Sequence, residues 1–260
     1  MCGIAGILRL DDQEVSPQRL EAMIAQVHHR GPDAAEWFVN RNVGLAHSRL
    51  SIIDLGNGRQ PMQTSDGRLT VTFNGEIFNY VELRRTLIEQ GHQFRTQSDT
   101  EVILHAYEEY GEHCVEHFNG QWAFAIWDKQ RNSLFLSRDR MGIRPLFYTQ
   151  TGRQFLFASE IKSLFTHPEI NRALNPQGVS QLFTFWTPLA PTTVFQDIQE
   201  LPPGHHLLVK DGKVRSYPYW QLEFPSDGST EFSDDWPEAL RERLIGSIRL
   251  RLRSDVPVGA

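Results

Sequence analysis

Residues 122–138 read Trp-Ala-Phe-Ala-Ile-Trp-Asp-Lys-Gln-Arg-Asn-Ser-Leu-Phe-Leu-Ser-Arg. Two apolar runs, Trp122–Asp128 and Ser133–Arg138, flank a short polar turn, which is the pattern of a hairpin. The texture repeats downstream. Leu146–Thr149 and Phe155–Ala158 flank Gln150–Arg153, and His206–Lys210 and Lys213–Tyr217 flank Asp211-Gly212, a strong two-residue turn signal. Upstream, Ile4–Leu10, Gly44–Leu55 and Leu69–Phe78 also read as strands. Helices interrupt them. Ser16 and Pro17 supply an N-cap and an N1 proline for a helix running toward His29. Tyr80–Gln90 is helical in period and closes at Gly91. Ser98 with Glu101 forms a capping box for a helix reaching about Tyr110, before Gly111. Strands and helices that do not alternate strictly predict an α+β domain with mostly antiparallel sheet.

The chain has 260 residues. At about 150 residues per domain, that is one large domain or one plus a fragment. Charged residues make up 22%, with 40% in the hydrophobic set, close to the globular average of about 25% charged. Disorder, collagen and coiled coil are excluded as global descriptions. The net charge is −6 and no basic stripe stands out, so nucleic acid is not an expected partner. Two cysteines, Cys2 and Cys114, are too few for a secreted disulfide scaffold. The apolar stretches, such as Trp122–Trp127, fall short of the roughly 20 residues that cross a bilayer. The N-terminus lacks a basic leader segment. No membrane partner and a cytoplasmic location are therefore expected. Neither a GxxxxGK[ST] phosphate loop nor a GxGxxG fingerprint occurs.

Residues 1–220 are read as one domain and 221–234 as a polar, turn-rich linker. Residues 235–260 are read as the start of a second domain. Asp235 and Glu238 are expected to cap its first helix. Trp236, Leu240, Leu244, Ile248 and Leu252 recur every four residues as an apolar stripe. Without a partner for that stripe, residues 234–260 are expected to pack poorly or to dock on a neighbouring chain.

Cys2 draws attention by position. Once Met1 is removed, one residue carries both a thiol and a free α-amine, and the amine can take the thiol proton without a histidine. Read structurally, Cys2 is a small residue at the start of a strand. Asn74-Gly75 is either a type I′ turn or a pair of donors, side-chain amide and backbone N–H, for a developing oxyanion. Arg49 lies among Leu45, Leu50, Ile52 and Ile53. If buried, its guanidinium requires a carboxylate from protein or ligand. Asp99 sits in the first turn of a capped helix, where a dipole contact also explains it, and Glu76 is a second anionic candidate. His113-Cys114-Val115-Glu116-His117 matches the H-x-x-E-H metalloprotease pattern. Gly111 and Asn119-Gly120 bracket it too closely for a long helix.

Taken together, several motifs carry a resemblance. They are Met1-Cys2-Gly3-Ile4-Ala5-Gly6, Arg30-Gly31-Pro32-Asp33, Ala46 to Asp54, Phe73-Asn74-Gly75-Glu76-Ile77, Ser98-Asp99-Thr100-Glu101, Arg138 to Leu146, Ala158 to Lys162 and Leu201 to His205. In this order they resemble the glutaminase domain of glutamine-hydrolysing asparagine synthetases. These are class II amidotransferases of the N-terminal-nucleophile hydrolase superfamily. The resemblance implies a four-layer αββα sandwich followed by the first helix of a truncated second domain. It implies Cys2 as nucleophile with its α-amine as base, and Asn74 and Gly75 as the oxyanion hole. Arg49 would hold the glutamine α-carboxylate and Asp99 and Glu76 the α-ammonium, with Ile52 among the substrate-binding residues.

The implied reaction is hydrolysis of glutamine to glutamate and ammonia through a γ-glutamyl thioester. The ammonia would serve ATP-dependent amidation of aspartate to asparagine. No cofactor or metal is expected for the glutaminase, and ATP and Mg2+ are expected for the synthetase domain. In the family, Arg253 to Ala260 runs into an S-G-G-x-D-S loop that binds pyrophosphate, which lies beyond this sequence. Partners expected are glutamine, aspartate or another carboxylate acceptor, and a second copy in a homodimer. The alternatives are a different carboxylate acceptor or an inactive glutamine-binding module.

Overall fold

Alternation along the strands decides how this chain packs. In the computed structural model, residues 1–11, 13–224 and 235–259 are described. Strands β1 (Gly3–Arg9), β2 (Ala34–Asn40), β3 (Val43–Arg49), β8 (Phe147–Thr151), β9 (Gln154–Ala158) and β10 (Gln199–Glu200) form one sheet, ordered β10-β8-β9-β1-β3-β2. Strands β4 (Met62–Gln63), β5 (Leu69–Ile77), β6 (Gly120–Asp128), β7 (Ser133–Arg138), β11 (His205–Lys210) and β12 (Lys213–Pro218) form the other, ordered β12-β11-β7-β6-β5-β4. Every pairing is antiparallel.

Successive side chains point to opposite faces. Ile4, Leu8, Val43, Leu45, Phe155 and Phe157 of the first sheet therefore meet Ala123, Ala125, Trp127, Leu134, Leu136, Leu207 and Val209 of the second in a buried inter-sheet core. The opposite face of the first sheet, with Ala5, Ile7, Ala46 and Leu156, packs on Leu20, Met23 and Ile24 of α1 (Pro17–Ala25) and Leu164 of α4 (Ile161–Leu164). The opposite face of the second sheet, with Val71, Phe73, Phe124 and Phe135, packs on Leu87 of α2 (Tyr80–Glu89) and Val102 to Tyr107 of α3 (Asp99–Tyr110). The result is four layers, αββα. Polar contacts tie the sheets together: Thr72 Oγ1 donates to Ala46 O at 3.1 Å, His47 Nε2 lies 3.1 Å from Phe73 O, and Arg138 pairs with Glu200 at 2.7 Å. Burial pushes the His47 pKa down to about 3, so this ring is neutral at physiological pH.

The three hairpins form within a residue or two of their expected bounds. Two elements differ, and one open alternative is decided. The first helix stops at Ala25 and a 3₁₀ turn, His28–Arg30, follows, which swings Arg30 back toward residue 2. The strand expected over Gly44–Leu55 ends at Arg49, because residues 50–58 form a loop in which Asp54 has φ +49°. That value is left-handed and incompatible with a strand. Asn74-Gly75 is no hairpin turn: both residues lie inside the continuous strand β5, opposite Ala123 and Trp122. Helix α5 (Pro176–Phe185) follows Asn175, whose side chain accepts the Gln177 N–H, in a stretch to which the sequence reading gave no element.

The linker assigned to 221–234 lies mostly outside the described residues. Helix α6 (Trp236–Arg251) follows it. Its five stripe residues are each more than half exposed, Trp236 and Leu240 at 52% and 60% for example. A four-residue spacing overshoots the 3.6-residue turn, so the stripe winds round the helix and offers no single flat face. Glu238 is engaged by Arg241 at 2.6 Å.

Candidate active site

A cavity of about 180 Å³ opens where the β1 start, the β3 end and the β5 edge converge, lined among others by Cys2, Arg49, Ile52, Asn74, Gly75, Glu76 and Asp99. All seven residues singled out from sequence line this one cavity. Its size lies below the roughly 300–1,000 Å³ of drug-sized pockets.

Cys2 precedes β1 and is half-buried. Its Sγ accepts the Leu50 N–H at 3.3 Å, and burial pushes the thiol pKa up. Its carbonyl accepts Arg30 Nε at 2.9 Å, and Arg30 is held in turn by Glu160 at 3.0 Å. The Arg30-Gly31-Pro32-Asp33 turn therefore serves the position of residue 2. Gly31 is required there, since a Cβ would lie 2.3 Å from Ser48 O. Asp33 accepts the Ser51 N–H at 2.7 Å and so fixes the chain just after Arg49.

Strand β5 presents its free edge to the cavity. Trp122, opposite Gly75, turns its own N–H and C=O toward Asp139 of the next connection. The Gly75–Trp122 pair is therefore a non-hydrogen-bonded one, and Gly75 aims its N–H away from β6. Phe73 and Ile77 share that orientation at a two-residue repeat. The Phe73 N–H donates to Gln60 Oε1 at 2.7 Å and the Ile77 N–H to Asp99 Oδ2 at 3.0 Å. The Gly75 N–H lies between these two satisfied donors, on the cavity side. Asn74 is 1% exposed, and among the described residues neither Nδ2 nor Oδ1 of its side chain has a hydrogen-bond partner. A buried amide left unpaired costs about 1–3 kcal/mol, so the fold holds a destabilising group at the cavity wall.

Arg49 closes the opposite side. It is 7% exposed, and three backbone carbonyls wrap its guanidinium: Asp54 O at 2.7 Å, Leu55 O at 3.2 Å and Ile53 O at 3.4 Å. Gly58 permits this wrapping, because a Cβ there would lie 2.7 Å from an Arg49 terminal nitrogen. No ion pair to Arg49 exists among the described residues. Asp99 is 5% exposed, and burial, with a smaller push from Glu76, raises its pKa to about 7. Burial also raises Glu76, opposed by Arg144. The buried Arg49, Arg144 and Asp99 and the half-buried Glu76 thus face the same small space, with no ion pair between them among the described residues.

The expected capping box is half formed. The Ser98 side chain accepts the Thr100 N–H, but Glu101 reaches past Ser98 to the Arg95 and Thr96 N–H groups at 2.9 and 2.7 Å. Those bonds pin the chain entering α3 and so fix Asp99.

Sequence reading gave no role to Arg144, which also lines the cavity. It is 6% exposed, its Nε has no partner among the described residues, and it touches the Met1 side chain. Asp139 delivers it by accepting the N–H groups of Met141, Ile143 and Arg144 at 3.0 Å each. The signal available was Arg138-Asp139-Arg140-Met141-Gly142-Ile143-Arg144, a turn with three cations round one acid. His113, Glu116 and His117 lie apart from the cavity. They occupy a short 3₁₀ helix, Gly111–His117, where His113 pairs with Glu116 at 2.8 Å and His117 stacks on Tyr110.

Fold and cavity together define the class, and the chain belongs to the glutamine amidotransferase domain family, whose profile matches residues 1–220. Among curated proteins it is 39% identical over 262 residues to asparagine synthetase [glutamine-hydrolyzing] 3 of Bacillus subtilis (strain 168), covering 99% of this chain and 42% of that protein. It is 34% identical over 263 residues to asparagine synthetase B [glutamine-hydrolyzing] of Escherichia coli (strain K12), covering 100% of this chain and 42% of that one. The chain thus spans about two-fifths of the length of these relatives. Among solved structures, glutamine phosphoribosylpyrophosphate amidotransferase from B. subtilis aligns with a TM-score of 0.62 at 21% identity. The alignment covers 85% of this chain and 50% of that one, and it shows a shared fold.

Proposed function

We propose that this domain hydrolyses glutamine to glutamate and ammonia, with Cys2 as nucleophile. The observation that carries the proposal is the Asn74 amide, unpartnered among the described residues and buried in the wall of a cavity also lined by the Cys2 thiol, Arg49, Asp99 and Glu76. A zwitterionic amino acid with a side-chain amide satisfies each of these groups at once. Its α-carboxylate meets Arg49 and its α-ammonium meets Asp99 and Glu76, with Ile52 on the wall beside it. Its amide carbonyl lies toward Asn74 Nδ2 and the Gly75 N–H.

The chemistry follows from that placement. Removal of Met1 frees the Cys2 α-amine, beside the Arg30 contact on the Cys2 carbonyl. The amine takes the thiol proton, and the thiolate attacks the amide carbon. Asn74 and Gly75 receive the oxyanion. The C–N bond then breaks as the Cys2 ammonium returns its proton to the leaving nitrogen, giving ammonia and a γ-glutamyl thioester. Water, deprotonated by the same amine, attacks the thioester and releases glutamate and the thiol. Supply of this ammonia to ATP- and Mg2+-dependent amidation of aspartate in a cytoplasmic homodimer belongs to the same proposal. The names of the relatives support the asparagine-forming use of the ammonia; the cofactors, the homodimer and the location rest on the family resemblance.

Incubating Met1-free protein with glutamine and measuring glutamate and ammonia tests the proposal. Glutamine binding without glutamate release would favour a binding module instead. Within the site, Arg49→Lys is expected to raise KM for glutamine about 10–100-fold with a small change in kcat, because a point charge cannot replace a wrapped, bidentate fork. Steady-state kinetics checks it.

Asp99 couples activity to pH. The α-ammonium of glutamine prefers ionised Asp99, so kcat/KM should fall as pH drops below about 7 in the free enzyme. Stability runs the other way. The folded pKa lies above the ordinary value of 3.8, so the folded chain binds a proton that the unfolded chain has lost. Stability therefore declines as pH rises from about 4 to about 7, and the whole penalty stands above that window. Asp99→Asn keeps an oxygen for the Ile77 N–H. It is expected to raise Tm at pH 8, by about 2–4 °C for each kcal/mol relieved, while lowering kcat/KM and making its acid limb shallower. Paired melting curves and pH profiles read both effects.

A further inference from the structure

Residues just after helix α6 fold back on the loop that wraps Arg49. Asp255 Oδ2 accepts the Asp54 N–H at 2.7 Å, and the Asp255 N–H donates to Ile52 O at 2.9 Å. Ser254 Oγ donates to the same carbonyl at 3.4 Å. A second anchor lies beside it. Arg253 grips Glu82 of α2 at 2.6 and 2.5 Å and donates to Phe78 O at 2.7 Å, while Arg251 lies over the Phe78 ring at 4.7 Å.

Asp54 is the node through which this contact reaches the cavity. Its left-handed backbone, φ +49°, is held from several sides. Its carbonyl accepts Arg49 at 2.7 Å and the Gly58 N–H at 2.9 Å. Its carboxylate accepts the N–H groups of Asn57 at 3.0 Å and Gln97 at 2.7 Å. Its own N–H is taken by Asp255. We propose that Asp255 is a positioning residue for the glutamine α-carboxylate. Through the backbone of Ile52 and Asp54, it sets the carbonyls that aim Arg49, and so links the segment following α6 to glutamine affinity. The inference rests on the cavity being the glutamine site.

The test uses the Met1-free chain, residues 2–260, and its Asp255→Ala and Asp255→Asn variants. Loss of a charge-assisted bond to Asp54 is expected to raise KM for glutamine about fivefold or more in Asp255→Ala, with kcat held within about twofold. Asp255→Asn, which keeps an oxygen acceptor, should return KM to within about twofold of the parent. Amide exchange over residues 52–57 should quicken in Asp255→Ala and not in Asp255→Asn. Exchange in strand β6 should be the same in all three, reporting an intact sheet. An unchanged KM, a fall in kcat without a rise in KM, or unaltered exchange over 52–57 would overturn the role given to Asp255. A parent chain that releases no glutamate would sink the glutaminase reading by itself, and the exchange experiment would then judge Asp255 alone.

Discussion

Cys2→Ala in Met1-free protein is expected to lower kcat for glutamine hydrolysis by about 10⁴–10⁶-fold, the range seen when a covalent nucleophile is removed. Binding should persist, because Arg49, Asp99 and Glu76 remain to hold the α-carboxylate and α-ammonium. Calorimetry with glutamine and a glutamate-release assay separate the two quantities. The size of the effect follows from the local chemistry. Burial raises the Cys2 thiol pKa, so the thiol is protonated at rest and depends on a base. Among the described residues no histidine lines the cavity. The base available is the amine on the same residue, which exists once Met1 has gone. A chain that keeps Met1, verified by intact mass, should therefore be as inactive as Cys2→Ala. Full activity with Met1 attached would refute the mechanism outright.

The second large effect concerns Asn74. Loss of one oxyanion donor costs about 2.7–4 kcal/mol of barrier, so Asn74→Ala is expected to lower kcat about 10²–10³-fold with little change in KM. The same substitution removes two buried polar atoms that have no partner, so Tm should hold or rise. A residue kept for packing or hydrogen bonding would behave in the opposite way, losing stability first. Kinetics and melting curves on one preparation decide between them, and a drop in Tm with unaltered kcat would count against the oxyanion assignment.

Much of this architecture was legible because it is written in local signals. The Asp211-Gly212 hairpin, the Ser98 cap and the Gly91 stop each depend on residues within one turn of one another. The alternation in β6 and β7 likewise sorts Phe124 and Ile126 to the helix side and Ala123 and Ala125 to the inter-sheet core. Elements set by distant partners were not legible. The strand expected to run on to Leu55 stops at Arg49 because the following carbonyls are drawn onto a guanidinium. Glu101 leaves its expected capping partner for the Arg95 and Thr96 amides. Asn74-Gly75 resembled a turn by composition, and the β6 pairing that makes it a strand edge lies more than 40 residues away. Arg144 went unassigned for the same reason, since its approach to the cavity depends on the Asp139 turn and on no pattern in its own neighbourhood.

Gly75 carries one more implication. A methyl group there would stand 2.1 Å from Gln121 O and 2.7 Å from the Phe73 ring, so no side chain is tolerated while β5 and β6 stay zipped. If the Gly75 N–H serves the proposed oxyanion, chemistry and architecture are fused at that position, and a chain that gives up the reaction while keeping this fold is expected to keep glycine there.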